Sequence, residues 1–299
     1  MRGLVRGCLL QLALWAAGTA AVQIYLRSVA PVRGEVWPVS IALGLLAAMG
    51  VWLVVAAATA AAERRMLVRA AAGTTPADGS WVAVSGEIDT RTPVQAPLSG
   101  DRVVAYEYKI VRDERIGRSS SPVTYYEGKA LAASTIATPH GAIRLLAVPS
   151  FDMAMETLIP KDALANAVHY LRTTTFEKRD TARQRTSALE REWADDDGVF
   201  RIDKTFFAAD VDLEDRFRFE ERRIRPRDPV CAFGVYSTAR AGLVPDTKWG
   251  RPTRIVRGTA ADAARMLNGR IVKYLIGALI LGALTYGLTM AYAKHIAAL

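Results

Sequence analysis

The chain has 299 residues, 51% of them hydrophobic, with a net charge of +9 and two cysteines. Six of its 39 basic residues (Arg2, Arg6, Arg27, Arg33, Lys273, Lys294) lie outside residues 63–270, against one of its 30 acids, Glu35, so much of the excess flanks apolar stretches. It does not form the single cationic face that nucleic acid requires. Cys8 and Cys231 cannot make a disulfide within the soluble part, and with His140, His169 and His295 widely spaced they exclude a structural Cys/His zinc site.

A membrane-crossing helix needs about 20 apolar residues. Residues 8–26, 39–62 and 274–293 contain no charged side chain or histidine. The first segment carries Gln11 and Gln23, and a cleaved export signal is its alternative reading. Its apolar run exceeds the roughly 7–15 residues of such a signal, which favours a retained helix. Domains are thus expected at 1–62 (an N-terminal membrane region), 63–270 (soluble) and 271–299 (a C-terminal transmembrane helix). Arg64, Arg65 and Arg69, together with Arg265, Arg270 and Lys273, mark the cytoplasmic side by the positive-inside rule. The expectation is a multi-pass protein of the cell (inner) membrane with its large domain in the cytoplasm. Small residues four apart, at Gly44/Ala48, Ala278/Gly282 and Ala283/Gly287, predict close packing of the second and third spans and offer a route to homo-oligomers.

Within the soluble part, residues 70–79 read as a connector and 81–88 as a strand, with Gly86 at a bulge or close backbone approach. Residues 103–111 form the clearest strand, since Val104, Tyr106, Tyr108 and Ile110 alternate with Glu107 and Lys109. Residues 112–122 suit a mobile hairpin tip. Strands follow at 125–131, 134–138 and 142–148, the last two joined by a turn at Pro139, His140 and Gly141. Helical periodicity then predicts an amphipathic helix over 160–173, with Leu164, Val168 and Leu171 on its apolar face, and a second over 181–194 that ends at the acidic turn 195–197. Further strands are expected at 216–224, 230–236 and 253–256. Thr259 and Asp262 have capping-box spacing and open a short helix through Leu267, separated from the last span by Gly269. This pattern gives an α+β class: a sheet-rich, barrel- or sandwich-like domain with a helical insertion, flanked by transmembrane helices.

VQAPLSGDRVVAYEYKI at residues 94–110 resembles the GIDE domain family, the membrane-anchored domain of mitochondrial RING-type E3 ubiquitin ligases. Gly86, Phe219-Glu220-Glu221, Pro226-Arg227-Asp228 and Gly234 stand in the same order as in that family, and the resemblance covers residues 80–295. It points to Gly86, Pro97, Leu98, Ser99, Gly100, Tyr106, Tyr108, Glu221, Pro226, Asp228 and Gly234 as structural or binding positions. Arg227 stands where the family commonly has glycine, so a different turn geometry is expected there. The eight Cys or His ligands of a RING exceed the five such residues in this chain, and the resemblance is expected to extend to the anchored domain alone, as in a prokaryotic-like member.

No residue pattern supports a catalytic, cofactor or metal site. Ser99 is outside a nucleophile elbow, there is no phosphate or dinucleotide loop, and the spans lack the ionisable residues of a transport path. The expected function is a non-catalytic binding, scaffold or sensor module at the lipid bilayer with an unknown protein partner and no nucleic acid. A ligase-type component or an unrecognised membrane enzyme is the alternative. Tyr106, Tyr108, Tyr125 and Tyr126 mark the strand region of a binding surface, but their own expected place is the core.

Overall fold

A computed structural model describes residues 2–29, 36–116, 119–178, 198–206, 213, 217–248 and 250–297. The chain divides into two compact units, one comprising residues 1–66 and 264–299 and the other residues 67–263.

The first unit is helical. It holds α1 (Arg2–Val29), most of α2 (Trp37–Ala71) and most of α4 (Ala260–Ala297). Of these, α2 and α4 are long and apolar enough to cross a membrane. Gly269 does not interrupt α4: one continuous helix replaces the expected short helix and separate span. The small-residue contacts also differ from expectation. A Cβ on Gly44 would run into Thr19 of α1, so Gly44 serves the α1–α2 crossing. Gly50 approaches Leu281 and Ala278, and Gly277 approaches Leu53, which brings α2 against α4. Gly282 and Gly287, expected in that contact, face open space: among the described residues, no atom lies within 4 Å of where a Cβ on either would stand.

The second unit is built on two sheets. Five strands close a barrel: β1 (Trp81–Thr90), β6 (Ser134–Thr138), β7 (Gly141–Leu145), β13 (Pro229–Ser237) and β14 (Gly242–Val244). Around the barrel β1 pairs with β6, β6 with β7, β7 with β14, β14 with β13, and β13 with β1 again; only β7 and β14 run parallel. This is a Greek-key closure of the OB-barrel kind. It decides for barrel over sandwich. β1 pairs with β13 over Trp81–Glu87 and with β6 over Glu87–Thr90, and at Gly86, where the two pairings meet, a Cβ would strike the Ala137 carbonyl oxygen. Gly234 lies opposite Val82 in the β13 pairing. β15 (Arg254–Arg257) and β8 (Ser150–Phe151) extend the same sheet. Val84, Ile88, Ile136, Ile143, Leu145, Val230, Leu243 and Ile255 fill the interior.

Two long excursions from the barrel make the second sheet. Between β1 and β6 run β2 (Val94–Gln95), β3 (Arg102–Val103), β4 (Ala105–Ile116) and β5 (Ser119–Ala132). Between β7 and β13, after β8, run β9 (Glu156–Thr157), α3 (Pro160–Thr173), β10 (Glu177–Lys178), β11 (Val199–Thr205) and β12 (Phe217–Ile224). The six-stranded order is β10-β11-β5-β4-β12-β9. Most of residues 112–122 are strand, because the arms of β4 and β5 remain paired from Arg112 opposite Val123 out to Ile116 opposite Ser119. The helix expected over 181–194 and the acidic turn at 195–197 lie outside the described residues.

α3 has the expected limits. Pro160 at its start needs no amide partner, Asp162 lies in its first turn and Arg172 in its last, both favourable to the helix dipole. Its fully buried face is Ala163 and Ala167, while the expected Leu164, Val168 and Leu171 are only half-buried. Small residues at i and i+4 let the helix lie close on the sheet. All four tyrosines are in the core, as the reading of them as core residues expects and against their use as a binding surface: Tyr106 and Tyr108 are 0% exposed, Tyr125 8% and Tyr126 3%.

At the Arg225–Asp228 turn, the Asp228 N–H donates to the Arg225 carbonyl at 3.1 Å and Arg227 has φ +66°. The glycine-type geometry is therefore kept without glycine, contrary to expectation, with Pro226 at the position that favours it. The Asp228 carboxylate secures the turn, accepting the Arg225 N–H at 3.0 Å and facing Arg257 at 3.3 Å.

Candidate functional site

Strand register gathers three of the motif residues, Tyr106, Tyr108 and Glu221, into two adjacent rows on one face of the second sheet. Across β11, β5, β4 and β12, the first row is Asp203, Gly128, Tyr108 and Glu221, and the second is Arg201, Ala130, Tyr106 and Arg223. Residues in one cross-strand row project to the same side, and this side carries α3.

At one end of the first row, Glu221 is 0% exposed. Its carboxylate accepts the Leu98 N–H at 2.9 Å and the Ser99 N–H at 3.2 Å. Both donors are in the turn between β2 and β3, and among the described residues neither has another acceptor. The Ala96 N–H donates to Asp101 and the Gly100 N–H to Ala96, and Gly100 closes the turn with φ +76°. Asn166 of α3 donates to the Leu98 carbonyl at 3.1 Å from the other side. Pro97, Leu98, Ser99 and Gly100 are thus positioned by a buried carboxylate beneath and a helix amide above. Burial holds the Glu221 carboxyl above its ordinary pKa, although the Ser99 and Leu98 hydrogen bonds and Arg223 oppose the shift.

At the other end, Asp203 Oδ1 accepts hydroxyl bonds from Tyr108 and from Tyr170, each at 2.9 Å. The Tyr106 and Tyr170 hydroxyls are 3.1 Å apart. Gly128 separates Tyr108 from Asp203 and leaves room for them to meet, since a Cβ there would collide with both. Burial raises the Asp203 carboxyl, with the Tyr108 and Tyr170 hydroxyls and Arg201 opposing it. Burial also pushes the Tyr106 phenol up to about 12 and raises Tyr108 and Tyr170. These phenols act as hydrogen-bond donors at neutral pH and not as bases.

Between the two ends is a polar pocket of about 200 Å³ lined by Gln95, Ala96, Pro97, Gly100, Asn166, His169, Tyr170, Thr173, Thr174 and Arg201. The turn is one wall and α3 the other. The Arg201 guanidinium lies 5.8 Å from the Tyr170 ring centre. The lining offers amide, hydroxyl and imidazole hydrogen-bonding groups and one guanidinium, that of Arg201. Among the described residues no group of three or more His, Cys, Asp or Glu side chains is placed to hold a metal ion.

Three arginines of β12 and the following turn are matched by acids. Arg222 pairs with Glu107 at 2.6 Å, Arg223 with Asp101 at 2.8 Å and with Glu156 at 2.6 Å, and Arg225 with Asp101 at 2.9 Å.

Pro97, Leu98, Ser99, Gly100, Tyr106, Tyr108 and Glu221 therefore belong to one construction, whereas Gly86, Pro226, Asp228 and Gly234 belong to the barrel and its edge turn. Sequence reasoning missed Gln95, Asn166, His169, Tyr170, Arg201 and Asp203. For Asn166 and Tyr170 a signal was present: they stand at i+3 and i+7 from Ala163, on its face of the helix. No family model, curated protein or solved structure matches the chain.

Proposed function

We propose that this chain is a multi-pass protein of the cell (inner) membrane whose large domain, facing the cytoplasm, is a non-catalytic binding or sensor module of the GIDE type. The pocket between the Pro97–Gly100 turn and α3 is its binding site. One observation carries this reading: a fully buried carboxylate, Glu221, is committed to fixing the backbone of an otherwise short surface turn. Burying a charged group is unfavourable, and here it yields a preorganised wall beside a polar pocket, with no catalytic pair in it. Two helices of sufficient length and apolarity support the membrane anchor, and the arginines at residues 64, 65, 69, 265 and 270 support the cytoplasmic side.

Proximity labelling in the native membrane, with the labelling enzyme inserted at residues 117–118, tests both parts. Cytoplasmic neighbours should be labelled, and Thr174→Trp, which fills the pocket, should remove a defined subset of them. Labelling confined to the opposite compartment would overturn the orientation, and an unchanged set with Thr174→Trp would overturn the pocket.

A further inference from the structure

The pocket beside α3 carries a definite charge. Arg201 is the one permanently charged side chain in its lining, and no carboxylate lines it. Arg218, Arg222 and Arg223 of the same sheet each pair with an acid. Arg201 does not: among the described residues it takes part in no ion pair. The single acid of its own strand, Asp203, is engaged through Oδ1 by the hydroxyls of Tyr108 and Tyr170.

Neutral donors complete the lining. Gly100 keeps a space open between two side-chain amides, since a Cβ there would stand 3.3 Å from Asn166 Nδ2 and 3.9 Å from Gln95 Nε2. An amide nitrogen of this kind carries two hydrogens. Asn166 donates one to the Leu98 carbonyl, which leaves the other for a ligand, and Gln95 is exposed. Three elements, β2, α3 and β11, thus bring donors and one cation to a single cavity. Such a lining selects an anion rich in acceptors. One guanidinium matches one negative charge, and its planar fork pairs with the two oxygens of a carboxylate. A phosphate monoester would bring about 1.5–2 negative charges against that single cation.

We infer that the pocket beside α3 recognises a carboxylate group, of a small organic acid or of a protein C-terminus, with Arg201 as its charge partner and the Asn166 and Gln95 amides as neutral donors. The inference rests on the reading of this pocket as the binding site and adds the chemical class of what it binds.

Saturation-transfer NMR on the full chain in detergent micelles tests it, with N-acetylalanine and its neutral amide as probes. The acid should bind, and the amide should bind at least about tenfold more weakly for want of the charge-assisted contact. Arg201→Gln should weaken binding of the acid by a similar factor. Gln95→Ala, at an exposed position, should weaken it severalfold. Arg91→Gln is the control, because Arg91 is exposed and lies outside the lining, and it should change nothing. Acetate and pentaglycine with a free C-terminus serve as competitors: displacement by acetate alone supports a small acid, and displacement by both supports a protein terminus. Equal binding of acid and amide, no binding of the acid, full binding to Arg201→Gln, or displacement by inorganic phosphate at a lower concentration than by acetate would each overturn the carboxylate assignment. Binding of both probes that Thr174→Trp leaves unchanged would instead overturn the pocket as the site.

Discussion

The carboxylate of Glu221 accepts the Leu98 backbone N–H at 2.9 Å across 123 residues of sequence. Glu221→Ala leaves two turn amides without an acceptor, each costing about 1–3 kcal/mol. Unfolding of the purified protein in denaturant should show a loss of about 2–4 kcal/mol, with a smaller loss for Glu221→Gln. The pH dependence has a definite sign. Because burial raises the folded pKa of this acid, the folded state binds more protons than the unfolded state between the two pKa values, and stability falls as pH rises. The advantage of wild type over Glu221→Gln should therefore be largest below the ordinary carboxyl range and shrink as pH rises through the folded pKa. An advantage that grows with pH would mean that the amide bonds outweigh desolvation.

Gly128 is irreplaceable for a packing reason. A Cβ would sit 2.5 Å from Tyr108 Cε1 and 2.9 Å from the Ile202 carbonyl, besides colliding with Asp203. Gly128→Ala should cost about 1–3 kcal/mol by overpacking. Thermal melting checks it, and an unchanged melting temperature would show that the Tyr108–Asp203 contact is not formed.

Arg227 holds φ +66° where glycine is favoured. Arg227→Gly should raise stability by about 0.5–1 kcal/mol, the relief of left-handed strain being partly offset by a more flexible unfolded chain. A fall in melting temperature would contradict the turn.

Thr259 and Asp262 cap α4 reciprocally: the Asp262 N–H donates to the Thr259 hydroxyl and the Thr259 N–H to the Asp262 carboxylate, both at 3.2 Å. Thr259→Ala should cost about 1 kcal/mol. Faster amide hydrogen exchange at residues 260–263 would locate the loss at the helix start.

Much of the local structure was legible in sequence. Alternation placed Tyr106, Tyr108 and Ile110 on the buried face of β4, Pro160 and helical spacing bounded α3, and the Thr259–Asp262 spacing marked the start of α4. β11 was not legible, because its buried positions include Asp203 and Thr205, which alternation assigns to solvent. The arms of β4 and β5 beyond Arg112 were missed for a related reason, since a paired ribbon rich in serine and charge looks like a loop. Register between distant segments was the largest gap. Nothing local indicates that Glu221 lies beneath Leu98, or that Gly128 lies between Tyr108 and Asp203. The order of Tyr106, Tyr108 and Glu221 along the chain was plain, but only the pairing of β11, β5, β4 and β12 puts them on one face with Arg201 and Asp203.

The most direct test of the central claim is site-specific photocrosslinking in the native membrane from His169, at the rim of the pocket, with Arg240 on the barrel as the reference position. The account predicts a discrete crosslinked species from His169 that Thr174→Trp abolishes and that Arg240 does not give. Identical crosslinks from both positions, or a His169 species indifferent to Thr174→Trp, would contradict it.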